Sequence, residues 1–284
     1  MKIKPDCLVC LFRQTLDIVS NVTDDEEKIK EILDKYAEML PDINFNQTAP
    51  EVTERIQSMI KKELNILDPF KSFKEEHIKK AEDLYPAVKK ELRSAPDTLK
   101  ASLIISAIGN SIDAGINLNI NVDRVLKKGV EEGFVLNDFE LFQDKINKGT
   151  KLLLIADNSG EAVFDRLLIK ELLKLRLNIT YVVREEAILN DITFKEAEEI
   201  GINKLCRVIS SGSKAPGLLI DEASDEMLKE LNGVDIIISK GQGNYEALSE
   251  TNYGIFYLLK AKCNVIANEF DVNKGSLIFK YKRG

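Results

Sequence analysis

Asp157, Asn158, Ser159 and Glu161 stand together directly after five unbroken apolar residues, Leu152 to Ala156. A short apolar run bounded by turn residues reads as a buried parallel strand. Open α/β sheets bind ligands where such a strand delivers polar groups into a turn before a helix. Capping that helix would need only one of these side chains. The grouping, with Gly160 inside it, therefore points beyond a cap. Similar junctions recur at Arg184, Glu185, Asn190 and Asp191, at S-S-G-S-K-A-P-G (210–217) and at K-G-Q-G-N-Y-E (240–246). Parallel strands share a carboxyl end, so all these loops should open on one edge of a sheet.

Asp157, Asn158 and Asp191 offer oxygen ligands and neither thiolate nor imidazole. Hard oxygen donors suit Mg²⁺ or Mn²⁺, which keep waters and accept phosphate oxygens as further ligands. Lys240 directly follows an apolar strand and can reach a phosphate as a point charge. Gly241 and Gly243 let backbone N–H groups approach an anion, and a helix starting near Asn244 adds its positive end. These parts suit neutralisation of a transferring phosphoryl group. Asp157 is either a nucleophile or a metal ligand. Aspartyl-phosphate enzymes usually carry a second Asp two residues on; Ser159 stands there, which favours metal-activated water. The plainer alternative is a surface ion pair between Lys240 and Glu246.

These loops need a sheet to position them. Strands are expected at Leu152–Ala156, Ile179–Val183, Leu205–Ile209, Val234–Ser239 and Asn264–Ala267, with residues 276–281 as an edge strand. Helices fit between at Ala162–Leu175, Thr193–Ile200, Asp225–Leu231 and Tyr245–Leu259. Such alternation predicts βαβ units. The first 150 residues read as helical: Asp6–Val19, Glu26–Leu40, Ala49–Leu64, Phe73–Leu92 with an interruption near Pro86, residues 97–116, and a looser stretch Val122–Phe142. The expected organisation is a helical domain over 1–145 and an α/β domain over 146–284.

In the helix over 97–116, Ser102, Ser106, Asn110 and Asp113 share one face. Asn110 and Asp113 therefore face either a neighbouring helix or a polar cleft. Cys7 and Cys10 fall on the first turn of a helix, where thiol pKa is lowered. One CxxC supplies only half the ligands of a structural zinc site. It is read as buried and inert, redox-active or metal-binding. His77, among charged residues, reads as a solvated surface histidine.

The net charge of −7 argues against broad nucleic-acid binding. No apolar run approaches the roughly 18–20 residues of a membrane span. With 44% apolar and 31% charged residues, the chain reads as soluble and globular. Its four cysteines, with no secretory signal at the start, suggest the cytoplasm rather than a disulfide framework. Neither nucleotide-binding glycine fingerprint is present.

With these residues in view, the chain resembles the metal-dependent damage-control phosphatase family (domain of unknown function 89), in the archaeal and bacterial branch with an N-terminal CxxC. The stretches that carry the resemblance are C-L-V-C-L-F-R-Q (7–14), D-P-F-K-S-F-K (68–74), A-I-G-N-S-I-D-A-G (107–115), D-N-S-G-E (157–161), N-D-I-T (190–193), S-G-S-K-A-P-G (211–217), K-G-Q-G-N-Y-E (240–246) and A-K-C-N-V-I-A (261–267). It departs from the family pattern at His77 and Ala114. The resemblance implies a helical N-terminal domain packed on an α/β/α sandwich with a mainly parallel, Rossmann-like sheet. It implies a divalent metal (Mg²⁺, Mn²⁺, Co²⁺ or Ni²⁺) held by Asp157, Asn158 and Asp191. Asn110, Asp113, Glu161 and the Lys240–Asn244 loop would contact a small phosphorylated metabolite. Neither nucleic acid nor membrane is an expected partner; an oligomer is compatible. The alternatives are a redox or metal-sensing protein using Cys7 and Cys10, and an S-adenosylmethionine-dependent carboxyl methyltransferase, for which no cofactor loop is visible.

Overall fold

In a computed structural model the protein is described at residues 1–115, 129 and 132–284, with side chains described everywhere in that set except 110–115. Its centre is a seven-stranded sheet. The strands are β1 (Leu136–Asn137), β2 (Lys151–Ile155), β3 (Asn178–Val183), β4 (Arg207–Ser210), β5 (Ile236–Lys240), β6 (Ile255–Lys260) and β7 (Leu277–Lys282). The order across the sheet is β1-β7-β6-β5-β2-β3-β4, and every neighbouring pair is parallel except β6 with β7. From β2 the chain winds outward through β3 and β4, then returns to place β5 on the other flank of β2. The crevice beyond the carboxyl ends of β2 and β5 is thus the topological switch point, where open α/β sheets bind ligands.

The helices are α1 (Pro5–Ser20), α2 (Glu26–Met39), α3 (Ala49–Leu64), α4 (Lys71–Ser94), α5 (Thr98–Gly115), α6 (Phe139–Lys145), α7 (Ser159–Lys174), α8 (Phe194–Glu199), α9 (Asp225–Gly233), α10 (Gln242–Leu248) and α11 (Asn264–Glu269). Central strands are buried on both faces, which is why β2 reads as continuous Leu and Ile. On one face α7 packs against β3 and α5 against β6 and β7, with α4 against both helices; Ile104, Ile108, Phe164, Leu168, Leu154 and Tyr181 belong to that core. Gly109 lets α5 approach closely, since a Cβ there would stand 2.9 Å from Glu161 Cβ. A helix-interior glycine that costs about 1 kcal/mol relative to Ala is offset by that contact. Helices α1 to α3 have a separate core around Ile18, Ile32, Tyr36, Val52 and Ile56.

Several expectations need correction. The boundary at 145–146 does not separate two packing units, because β1 and α6 precede it yet belong to the sheet layer. β1 pairs with β7, and Phe139 and Phe142 join the core around α7. Residues 136–137, expected within a helix, form this strand. The expected helix Tyr245–Leu259 is a seven-residue helix, α10, followed by β6. Asn264–Ala267, expected as a strand, is the start of α11. The strand at 277–282 is internal, between β1 and β6. Pro86 sits inside α4 without ending it. His77 is buried on α4, its ring 3.7 Å from that of Phe73, so it is not a surface residue. No helix among the described residues is long and apolar enough to cross a membrane.

Candidate active site at the switch point

Asp157 and Asn158 follow β2 directly, and both are buried. Asn158 is the N-cap residue of α7, yet its side chain makes no capping hydrogen bond. Its Nδ2 instead donates to Asp157 Oδ2 at 2.7 Å. The loop after β3 is sewn to this turn by backbone contacts. Asn158 and Asp191 form an isolated bridge, Ile192 N donates to Asp157 O at 2.9 Å, and Ser159 N donates to Asn190 O at 2.9 Å. Ser159 Oγ adds a bond to Asp191 O at 3.1 Å. Residues 33 positions apart, Asn158 and Asp191, therefore share one buried corner. Arg184, at the end of β3, donates from Nε to Asp191 Oδ2 at 2.8 Å and fixes that carboxylate from behind.

The third wall is the turn after β5. Gly241 has φ +81°, and a Cβ there would fall inside the Asp157 carboxylate. Its amide is spent on Leu258 O at 3.0 Å, so it does not face an anion. Gly241→Ala combines a left-handed backbone with this collision. We expect it to cost about 1–3 kcal/mol of stability and to displace Asp157, weakening divalent-metal binding measured by calorimetry. Unchanged metal affinity in that variant would mean that the Asp157 carboxylate is not held by this contact.

Lys240 is 1% exposed and points beneath the turn. Its Nζ donates to Glu161 Oε1 and Asp165 Oδ1, both at 2.6 Å. Ser106 Oγ reaches the same Asp165 oxygen at 2.6 Å, and Tyr181 OH bonds Asp165 Oδ2 at 2.7 Å. Burial alone would lower the Lys240 pKa, but Asp165 and Glu161 hold it above its ordinary value. Burial pushes Glu161 up to about 8, Lys240 opposing and Asp157 assisting. Burial and the neighbouring Asp157 and Asp165 charges thus favour the protonated form of Glu161, and Lys240 favours the ionised one.

Burial likewise pushes Asp191 up to about 7 against the pull of Arg184, and Glu246 up to about 7. Carboxyls of the unfolded chain titrate near 4, roughly, so the folded protein retains protons that the unfolded chain has released. The stability these groups contribute is fully present below the unfolded pKa and is lost as pH rises through about 7–8. The metal-free protein should therefore show a falling melting temperature as pH rises across that window. A divalent cation bound beside Asp191 would take the proton's place, so saturating Mn²⁺ should flatten the slope. A slope identical with and without Mn²⁺ would contradict a cation there.

That donor chemistry fits a hard cation: two buried carboxylates and an amide side chain converge, and all are oxygen donors on rotation of the Asn158 amide. Among the described residues, no set of three or more His, Cys, Asp or Glu gathers as a metal cluster, and this corner holds two such residues with an amide.

The helical region holds this corner from outside. Gln57 of α3 is fully buried; its Oε1 accepts from Leu189 N at 2.8 Å and its Nε2 donates to Ala187 O at 3.5 Å. Lys61 Nζ reaches the same carbonyl at 2.5 Å. Leu189 has φ +45°, a costly conformation for leucine, two residues before Asp191. Lys74, also buried, joins Asp68 at 2.8 Å to Glu196 at 2.7 Å and ties α4 to the end of the same loop.

A cleft of about 540 Å³ opens over the site. Asp157, Asn158 and Asp191 line one wall, Cys7, Cys10 and Gln14 of α1 another, and Glu246, Lys262 and Cys263 a third. Burial raises the pKa of both Cys7 and Cys10, opposite to the expected helix-terminus effect. Asn244 does not face the cleft: Nδ2 donates to Ala156 O and Lys240 O at 2.8 Å each, and Oδ1 accepts from Leu218 N at 3.0 Å. It clamps loops together. Gly243 lies against Pro216, where a side chain would not fit. The side chains of Asn110 and Asp113 lie outside the described residues. Asp165, Gln57 and Lys262 were not singled out from sequence. For Asp165 the signal was its place four residues after Glu161 on one helix face; Gln57 carries no local signal.

The sequence profile of the damage-control phosphatase ARMT1-like domain matches residues 3–278. An uncharacterised protein of Methanocaldococcus jannaschii is 34% identical over 97% of this chain and 94% of its own length. A damage-control phosphatase of Archaeoglobus fulgidus is 32% identical over 99% of both chains. The crystal structure of a DUF89 family protein from Pyrococcus horikoshii superposes with a TM-score of 0.92 at 30% identity, covering 100% of both chains. Profile, relatives and fold agree along nearly the whole sequence, and the chain belongs to the damage-control phosphatase ARMT1-like (DUF89) family.

Proposed function

We propose that the protein is a divalent-metal-dependent phosphatase acting on small phosphate esters, sugar phosphates or damaged phosphometabolites, with water as the acceptor. One observation carries this reading: Asp157, Asn158 and Asp191, from two strand ends, meet at the switch point under a cleft large enough for a small metabolite. Relatives bearing the name damage-control phosphatase support the same class of reaction.

Asp157, Asn158 and Asp191 would hold the cation. A cation there supplies charge neutralisation of the phosphoryl oxygens and activation of water at neutral pH. Arg184 keeps Asp191 oriented, as hydrogen-bonded partners of metal ligands do. Lys240, Glu161 and Asp165 lock α7 against β5, so that Asp157 enters the corner from two fixed elements. Protonation of Glu161, which burial favours, would limit the negative charge beneath the cleft. The deciding experiment is phosphate release from a panel of sugar phosphates with Mg²⁺, Mn²⁺, Co²⁺ and Ni²⁺ in turn. Absence of release with every metal would remove the proposal.

A further inference from the structure

A phosphatase site needs a cation for the phosphate besides the metal, and position in the chain singles out Lys240 for that task. Its environment speaks otherwise. Lys240 Nζ is held between two carboxylates at 2.6 Å each. A void of about 10 Å³ lies beside it, bordered by Asp157, Gly241 and Lys262. Such a void holds about one water molecule and no phosphate.

We propose that Lys262 is the side chain that takes the phosphate in this cleft, in a role that rests on the phosphatase reading. Lys262 lies two residues beyond β6 and borders both the void at Asp157 and the 540 Å³ cleft. It is exposed to the cleft, and among the described residues its ammonium makes no ion pair or side-chain hydrogen bond. Its backbone is fixed: the Lys262 N–H donates to Gln242 Oε1 at 3.3 Å. Gln242 Nε2 in turn donates to Glu246 Oε1 at 2.9 Å and to Cys263 Sγ at 3.5 Å. The lysine is therefore anchored at its base and free at its tip. Lys262 and Asp157 border the same two spaces, which places the lysine beside the metal corner.

Lys274 is the other cation of the cleft wall. It does not border the void at Asp157, whereas Lys262 does. A phosphate that bridges the Asp157–Asp191 corner and the Lys262 ammonium would exchange a solvated lysine for a charge-assisted hydrogen bond at the closed end of the cleft.

The test uses inorganic phosphate and glycerol phosphate with the Mn²⁺-loaded full chain. In Lys262→Gln, phosphate affinity by calorimetry should fall about tenfold or more and KM for the ester should rise in parallel. Mn²⁺ affinity and melting temperature should stay at the parental values, as expected for an exposed side chain without structural partners. Lys262→Arg should recover most of the phosphate affinity. Parental phosphate affinity in Lys262→Gln would overturn the assignment. An equal loss in Lys274→Gln would also overturn it, since it would mean a diffuse field instead of a contact. A parental protein that binds Mn²⁺ but neither binds phosphate nor hydrolyses any ester would instead overturn the phosphatase reading itself.

Discussion

Asp157→Ala should abolish divalent-metal binding and lower phosphate release by on the order of 10³-fold or more, the rate equivalent of roughly 4 kcal/mol of lost transition-state stabilisation. The expectation follows from where the carboxylate sits. It is buried, it is bonded by Asn158 Nδ2 at 2.7 Å, and it faces the Asp191 wall of the same cleft. The backbone part of this residue is unaffected by the substitution, because the contact that holds the Asp191 loop uses the Asp157 carbonyl and Ile192 N. The variant should therefore fold with its loops in place, separating loss of the ligand from loss of the corner. Calorimetry with Mn²⁺ and phosphate release from the ester panel are the two measurements. Full activity in this variant would rule out both roles considered for Asp157, nucleophile and metal ligand.

Lys240→Met should be the most destabilising single change in the sheet layer. Removing the ammonium leaves the Glu161 and Asp165 carboxyls, 4% and 0% exposed, without their shared cation. Breaking a buried pair by deleting one partner costs about 3–5 kcal/mol. In a chain of 284 residues that corresponds to a melting temperature lower by roughly 10 °C. The loss should shrink toward acid pH, where protons neutralise whatever charge remains on the carboxyls left without their cation. Adding Asp165→Asn should restore part of the stability, a coupling that a double-mutant cycle measures directly. A Lys240→Met variant that melts within a degree or two of the parent would show that the lysine is not the keystone of α7 and β5. That outcome would also reopen Lys240 as a phosphate contact.

The two lysines illustrate how far local sequence reaches. In the structure Lys240 ends β5 and Lys262 lies two residues beyond β6, so both stand at strand ends. What separates them is the long-range partner: α7 places Glu161 and Asp165 under Lys240, while nothing described pairs with Lys262. A sequence-local reading has no access to partners 75 and 79 residues away.

The elements themselves were legible where hydrophobic periodicity is unambiguous. Helices α1 to α3 and strands β2 and β3 lie within a few residues of expectation, because amphipathic spacing and buried apolar runs report directly on the face that is covered. The failures cluster where a short apolar run fits either conformation. Ile255–Leu259 extends the helical pattern of Tyr245, yet Thr251–Gly254 interrupts it and the run pairs with both β5 and β7. Asn264–Ala267 has strand-like composition but begins a helix packed against β6. Length cannot arbitrate in such short segments.

Sequence by itself determined the class of the protein and the identity of the corner. A βαβ rhythm requires parallel strands to share a carboxyl end, and that end is where D-N-S-G-E and N-D-I-T fall. Tertiary structure alone decided which polar groups face the cleft and which are consumed in holding it. Asn244, Gly241 and Lys240 turn inward to backbone or carboxylate partners, Gln57 reaches in from a helix of another core, and Lys262 is left open. The reason is physical. Hydrogen-bond capacity is a property of a residue, but its use is set by whichever group packing brings within 3 Å or so.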